Sequence, residues 1–235
     1  MEVSKSVSAK IAEYLLQIHA IKLQPENPFT WASGWKSPIY SDNRLSLSHP
    51  EVRNFIKKEL SRLIIAKFPQ TEAIVGVATA GIAPGVLVAD ELSLPFGYVR
   101  SEAKKHGMAK QVEGDIKQGQ KILVIEDLVS TGKSSLQAVN SLRDFGAHVI
   151  GMASIFTYGF DEAVKAFSDA NCEYVSLCNY NTLLSVAVAN NIVKENQLEL
   201  LAECRGTRAY TSRINRICSS NFSRLRTVTT SLQIL

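Results

Sequence analysis

Residues 121–135 read KILVIEDLVSTGKSS. After Lys121, the apolar run Ile122, Leu123, Val124 and Ile125 has the length and β-branching of a buried strand. It ends in two adjacent carboxylates, Glu126 and Asp127, and passes through Leu128 and Val129 into a small polar loop, Ser130-Thr131-Gly132-Lys133-Ser134. The following segment, KSSLQAVNSLRDFG, has helical apolar spacing and closes on Gly146. A loop of small residues at a helix N-terminus presents backbone N–H groups and the positive end of the helix dipole, which suits a phosphate. Gly132-Lys133-Ser134 matches the second half of a G-x-x-x-x-G-K-[ST] loop, but the first glycine of that pattern falls on Asp127. A carboxylate there stands where a nucleotide's phosphates need amides, so that reading is rejected. One phosphate monoester in the loop, with two acids for the paired hydroxyls of a ribose or for a Mg²⁺-bound sugar, fits better. Two merely solvated acids at a strand end would leave the Ser-Thr-Gly loop unexplained.

Strand and helix patterns alternate on both sides of this stretch. AIVGVA (residues 73–78) reads as a buried strand, followed by the glycine-bearing turn TAGIAPG and a helix near residues 86–92. FGYVR (96–100) reads as another strand, and SEAKKHGMAKQVEGDIKQG, polar and without period, as a long loop. HVIGMASIF, DEAVKAFSDA and EYVSLCN read as strand, helix and strand, and two short helices close the body. Upstream, residues 4–23 place Val7, Ile11, Leu15, Ile18 and Ile21 at a helical period. NPFTWASGWKSPIYSDNR, with Pro, Gly and aromatics, reads as a hairpin or hooked segment. Ser48 is the expected cap of a helix with Pro50 in its first turn. Repeated β-α-β units with continuous apolar strands predict an α/β fold, a parallel sheet with helices on both faces. Ligands of such sheets bind at the carboxyl ends of strands, where Glu126 and Asp127 stand.

Composition sets the bounds. At 235 residues, 46% hydrophobic and 20% charged, the chain can bury a real core. Its longest apolar runs are far shorter than a membrane span, and residues 1–10 hold no apolar signal core. Cys172, Cys178, Cys204 and Cys218 show no metal spacing and fit idle thiols in a reducing cytoplasm. The net charge of +4 hints at nucleic acid, but its distribution does not. Beyond Glu203 there are six arginines and no acid, so subtracting them from +4 leaves −2 for residues 1–203. The basic character belongs to a Ser/Thr/Asn-rich tail without apolar period, read as a weakly structured extension. Nucleic acid and membrane are therefore not expected partners.

The motifs also resemble a known family. VIEDLVSTGKSS resembles the phosphoribosyl-diphosphate signature of type I phosphoribosyltransferases: an apolar strand, two acids, two variable residues, then a Ser/Thr-Gly loop. FTWASGWKSPIYSDNR resembles the N-terminal segment of orotate phosphoribosyltransferases, VGVATAGIAPG their diphosphate-binding loop, and YVRSEAKKHG their mobile catalytic loop. The four motifs occur in the family's order within residues 4–204. The resemblance implies a type I phosphoribosyltransferase fold in residues 1–208, with a small N-terminal hood over about residues 1–45 and a separate tail at 209–235. It implies transfer of the 5-phosphoribosyl group from its 1-diphosphate to orotate, with Mg²⁺ carried by the diphosphate, in a cytoplasmic homodimer with shared active sites.

Roles follow by position. Glu126, Asp127, Leu128, Val129, Ser130, Thr131, Gly132, Lys133 and Ser134 would hold the ribose hydroxyls and the 5-phosphate. Thr79, Ala80 and Gly81 would offer amides to the diphosphate, and Arg100, Lys104, Lys105 and His106 would meet its charge. Lys104, His106 and Asp127 would carry the chemistry, and Ser33, Gly34, Lys36 and Ser130 would hold orotate. The chain departs from the family pattern at Ser101, where a lysine often follows the arginine, and at Ala32, where some members have lysine. SIFTYGF lacks the arginine that some members place after the signature helix. Two alternatives stand beside this reading: a purine phosphoribosyltransferase, and a non-catalytic regulator that senses the sugar diphosphate and binds nucleic acid through its tail.

Overall fold

The computed structural model describes residues 3–30, 36–100 and 111–203. In chain order the elements are α1 (Lys5–Gln17), β1 (Ile21–Leu23), β2 (Phe29–Thr30), β3 (Lys36–Ser37), β4 (Ile39–Ser41), a 3-10 turn (Asn43–Ser48) and α2 (Pro50–Lys67). The core follows as β5 (Ala73–Val77), α3 (Ile82–Leu92), β6 (Phe96–Val99), β7 (Val112–Glu113), β8 (Lys121–Val129), α4 (Lys133–Asp144), β9 (His148–Thr157), α5 (Asp161–Asp169) and β10 (Tyr174–Asn179). Helices α6 (Tyr180–Ala189) and α7 (Leu198–Glu203) close it, separated by the 3-10 turn Glu195–Gln197.

Six strands form one sheet in the order β10-β9-β8-β5-β6-β7. β5, β6, β8, β9 and β10 run parallel, as the sequence predicts. β7 pairs antiparallel with β6 and makes the sheet mixed. It lies in a segment read from sequence as loop, because two residues are too few to show a period. From β5 the chain passes to β6 and β7 on one side, then returns to β8 on the other. The order therefore reverses between β5 and β8, the place where such sheets open a crevice at their carboxyl ends.

Two apolar layers hold the sheet. One face packs Ile74, Leu123, Ile125 and Leu177 against α1, α2, α3, α6 and α7. The other packs Val75, Val124 and Met152 against α4 and α5. Ile122 to Ile125 are all fully buried, and each such side chain contributes about 1.5–3 kcal/mol. Because both faces of β8 are covered, a one-residue slip would gain nothing by exposing either set, and continuous apolarity replaces alternation.

The N-terminal region differs in detail from its sequence reading. The helix stops at Gln17, and His19 takes a left-handed φ of 57°. Ile21 and Leu23 are buried as strand residues, pairing antiparallel with Ser41 and Ile39. Ile21 continued the helical spacing because it falls three residues after Ile18, a step that a helix face also allows. The next helix begins after His49, not Ser48, which ends the 3-10 turn; Pro50 holds the first position, as expected. β2 and β3 form the expected hairpin, Phe29 opposite Ser37. Among the described residues no helix is long and apolar enough to cross a membrane.

Candidate active site

β8 stays extended through Val129, so Glu126 and Asp127 are strand residues and not members of the loop. Adjacent strand residues point to opposite faces, and the two acids do so here. Glu126 is buried on the α4/α5 side, opposite Ser154 of β9; burial raises the nearby Tyr174 phenol, and the charge of Glu126 adds to that. Asp127 faces α2, α3 and the 3-10 turn, where it lines a crevice with Asn43, Arg44 and Ala80. Burial pushes the Glu126 carboxyl up to about 9, with the charge of Asp127 adding to it. Burial pushes Asp127 up to about 6, opposed by hydrogen bonds from the N–H groups of Leu128 and of Asp127 itself. Arg44 also favours the Asp127 anion, and its guanidinium is fixed by Asp42 through Nε (2.7 Å) and Nη2 (2.9 Å). The period-two rule could have separated the two acids from sequence alone.

The loop after β8 is short, from Ser130 to the cap Gly132. Gly132 caps α4 at φ 78°, the left-handed region that favours glycine. The first intrahelical bond is Leu136 N–H to Gly132 O at 2.8 Å. The amides of Lys133, Ser134 and Ser135 therefore precede the intrahelical ladder, as at any helix N-terminus. Ser130 and Thr131 are half-buried, while Lys133 and Ser134 are exposed. Val129 is buried in the core and Leu128 packs on the opposite layer, so their contribution to the site is backbone.

A second loop lies beside β8 at the switch point. The turn after β5 contains a cis peptide between Ala78 and Thr79 and leads to Gly81, which caps α3. A β-carbon on Gly81 would collide with the carbonyl of Ile125 and with the backbone of Val77; one on Gly76 would lie 2.6 Å from the Gly81 carbonyl. Only glycine at both positions lets this turn fold back onto β8. The Gly81 N–H is taken by Val77 O at 2.9 Å, whereas the Thr79 and Ala80 amides have no backbone partner among the described residues. Thr79 is exposed and Ala80 half-buried.

The remaining candidates are scattered around these loops. Arg100 follows β6, with its N–H on Gln111 O (2.9 Å) and its guanidinium 3.6 Å from Glu113. Lys36 begins β3 and is half-buried. Phe29 and Tyr40 pack ring to ring at 5.7 Å. Ser33, Gly34, Lys104, Lys105 and His106, with Ala32, Ser101 and the tail, lie outside the described residues. Asn43 went unnoticed in the sequence: its Nδ2 donates to the main-chain oxygen of Asp127 at 2.9 Å. Nothing local marks it, since the bond spans 84 positions.

Two helix N-termini stand at the carboxyl ends of adjacent strands, with Asp127 on the crevice beside them, and residues 49–186 match the family model described as "Phosphoribosyl transferase domain". The chain is 52% identical over 201 residues to the orotate phosphoribosyltransferase of Phocaeicola vulgatus, covering 86% of this chain and 95% of that one. The chain belongs to the orotate phosphoribosyltransferase family. It is 50% identical over 198 residues to the enzyme of that name from Listeria innocua, covering 84% and 95% of the two chains. Among solved structures, the orotate phosphoribosyltransferase of Aeropyrum pernix superposes with a TM-score of 0.66 at 29% identity, covering 74% of this chain and 96% of that one. Leishmania donovani UMP synthase shares the fold, with a TM-score of 0.70 at 24% identity over 85% of this chain and 43% of its own. Membership makes the chain a type I phosphoribosyltransferase enzyme of pyrimidine biosynthesis, with the α/β core and N-terminal hairpin of that fold.

Proposed function

We propose that the protein transfers the 5-phosphoribosyl group from 5-phosphoribosyl 1-diphosphate to orotate, giving orotidine 5′-phosphate and diphosphate. The carrying observation is the pairing of two amide-bearing turns, one after β5 and one after β8, around Asp127 at the switch point. The α4 loop, Ser130 to Ser134, takes the 5-phosphate by amides and hydroxyls. Thr79 and Ala80 donate to the diphosphate. Asp127 accepts from ribose hydroxyls and, as an anion, stabilises positive charge that builds on the ring as the anomeric C–O bond breaks. Glu126, expected from the sequence to share the ribose hydroxyls with Asp127, lies on the opposite face of β8, where burial raises its carboxyl to about 9.

Mg²⁺, carried by the sugar diphosphate and not held directly by this chain's side chains, would supply positive charge to the leaving diphosphate. Arg100, Lys104, Lys105 and His106 complete that neutralisation from the loop, and Ser33, Gly34, Lys36 and Ser130 orient orotate. A homodimer lets the loop of one subunit serve its neighbour's site and exclude water there. Residues 1–208 form the working domain, and the tail from 209 lies outside it.

The test is direct. Purified protein, Mg²⁺ and 5-phosphoribosyl 1-diphosphate should consume orotate, followed by its absorbance, and should leave adenine and hypoxanthine untouched. Turnover of a purine with none of orotate would replace this reading by the purine one.

A further inference from the structure

The crevice beside Asp127 contains an unusual amide. Asn43, on the 3-10 turn before α2, is 2% exposed. Its Nδ2 donates to the Asp127 carbonyl at 2.9 Å, which assigns the orientation of the amide. The other end, Oδ1, is shielded from solvent and has no hydrogen-bond partner among the described residues. Buried polar atoms are nearly always paired, so an orphan acceptor marks a place where a donor belongs. Arg53, on the same crevice, spends Nη1 on Leu47 O at 3.0 Å, and its Nε is a second buried orphan, this time a donor. An unpaired acceptor and an unpaired donor on one crevice complement a hydroxyl, which both donates and accepts. The neighbouring carboxylate, Asp127, also calls for O–H donors.

We propose that Asn43 contacts the substrate, its Oδ1 accepting a hydrogen bond from one ribose hydroxyl of the phosphoribosyl donor beside Asp127. This rests on reading the site as one for a phosphoribosyl diphosphate. The anchored Nδ2 explains the precision of the arrangement: one side chain fixes the backbone of the acid and reads the sugar that the acid binds. The 2-hydroxyl and 3-hydroxyl are equivalent as donors, so the experiment identifies which one is read.

The probes are ribose 5-phosphate and its 2-deoxy and 3-deoxy analogues, measured as competitive inhibitors against the sugar diphosphate. The wild-type protein should prefer ribose 5-phosphate over at least one analogue by about tenfold, the size of one good hydrogen bond. In Asn43→Ala that preference should fall to about twofold or less, while any preference at the other hydroxyl and the inhibition by inorganic diphosphate persist. Asn43→Ser, smaller and still polar, carries the same expectation if the alanine variant does not fold. Preferences unchanged in the variants would overturn the proposal and leave a solvated crevice. Loss at both hydroxyls would also overturn it, because Asn43 would then act only by holding Asp127. A wild-type protein that binds all three sugars equally refutes the Asn43 contact alone; one that binds none of them refutes the reading of the site itself.

Discussion

The edge of the Phe167 ring lies 2.9 Å from where a β-carbon on Gly132 would sit. Phe167 belongs to α5, is buried, and stacks on Tyr174 at 4.5 Å and 17°. Tyr174 in turn hydrogen-bonds Ser154 at 2.7 Å, and Ser154 bonds Ser176 at 3.0 Å. The loop that we assign to the 5-phosphate is therefore seated on an aromatic pair, and its conformation is set from beneath.

Gly132→Ala meets two obstacles, a left-handed φ of 78° and the Phe167 ring. The first alone costs about 1–2 kcal/mol. Relief requires the loop to rise from Phe167, which moves the α4 amides. Thermal denaturation should show the loss of stability, and the KM for 5-phosphoribosyl 1-diphosphate should rise about tenfold or more, equivalent to about 1.4 kcal/mol of binding. An unchanged KM in a destabilised variant would separate the glycine from ligand binding.

The two acids make stability and activity depend on pH in opposite senses. Both folded-state values are raised, so the folded protein keeps protons that the unfolded chain releases. Their stabilisation is complete at low pH and is lost as pH rises, for Glu126 from 4.5 towards about 9 and for Asp127 from 3.8 towards about 6. Glu126→Gln removes the larger penalty. Urea unfolding should find it more stable than the wild type by at least about 1 kcal/mol at pH 8, with the gap closing near pH 5. Conversely, kcat/KM for the sugar diphosphate should climb through about pH 6 as Asp127 ionises, and the residual activity of Asp127→Asn should lack that limb. The measured midpoints belong to the interacting pair.

Lys104 tests the shared site. Lys104→Ala should lower kcat by about 10²–10³, the cost of removing one preorganised donor to developing charge. Mixing that variant with Asp127→Asn, followed by subunit exchange, should restore activity in the heterodimer that carries one intact set of both residues. Verified heterodimers as inactive as both parents would place Lys104 and Asp127 in the same subunit's site.

The tail should be dispensable for chemistry. Its four arginines (Arg213, Arg216, Arg224 and Arg226) and lack of acids should attract polyanions, without an apolar period to build a site. A protein ending at Arg208 should keep both KM values and a kcat within about threefold, while losing any salt-sensitive RNA binding of the full chain. A folded truncation slowed a hundredfold would show the tail acting at the site.

The signature strand, its acids and the glycine-bearing loop were legible in residues 121–135, because strand apolarity, helix-start and helix-stop signals are local in sequence. The hairpin and the β-α-β order followed from the same kind of signal. Local period failed at Ile21, where a strand residue happened to continue a helical spacing, and at Val112–Glu113, which is too short to show any. Only the tertiary structure set β8 beside β5, folded Gly81 against Ile125, placed Phe167 under Gly132 and brought Asn43 to the Asp127 carbonyl. These relationships arise from which apolar surfaces bury one another across the chain. Sequence spacing carries no record of that pairing, so burial and close approach decide it once the whole sheet has closed.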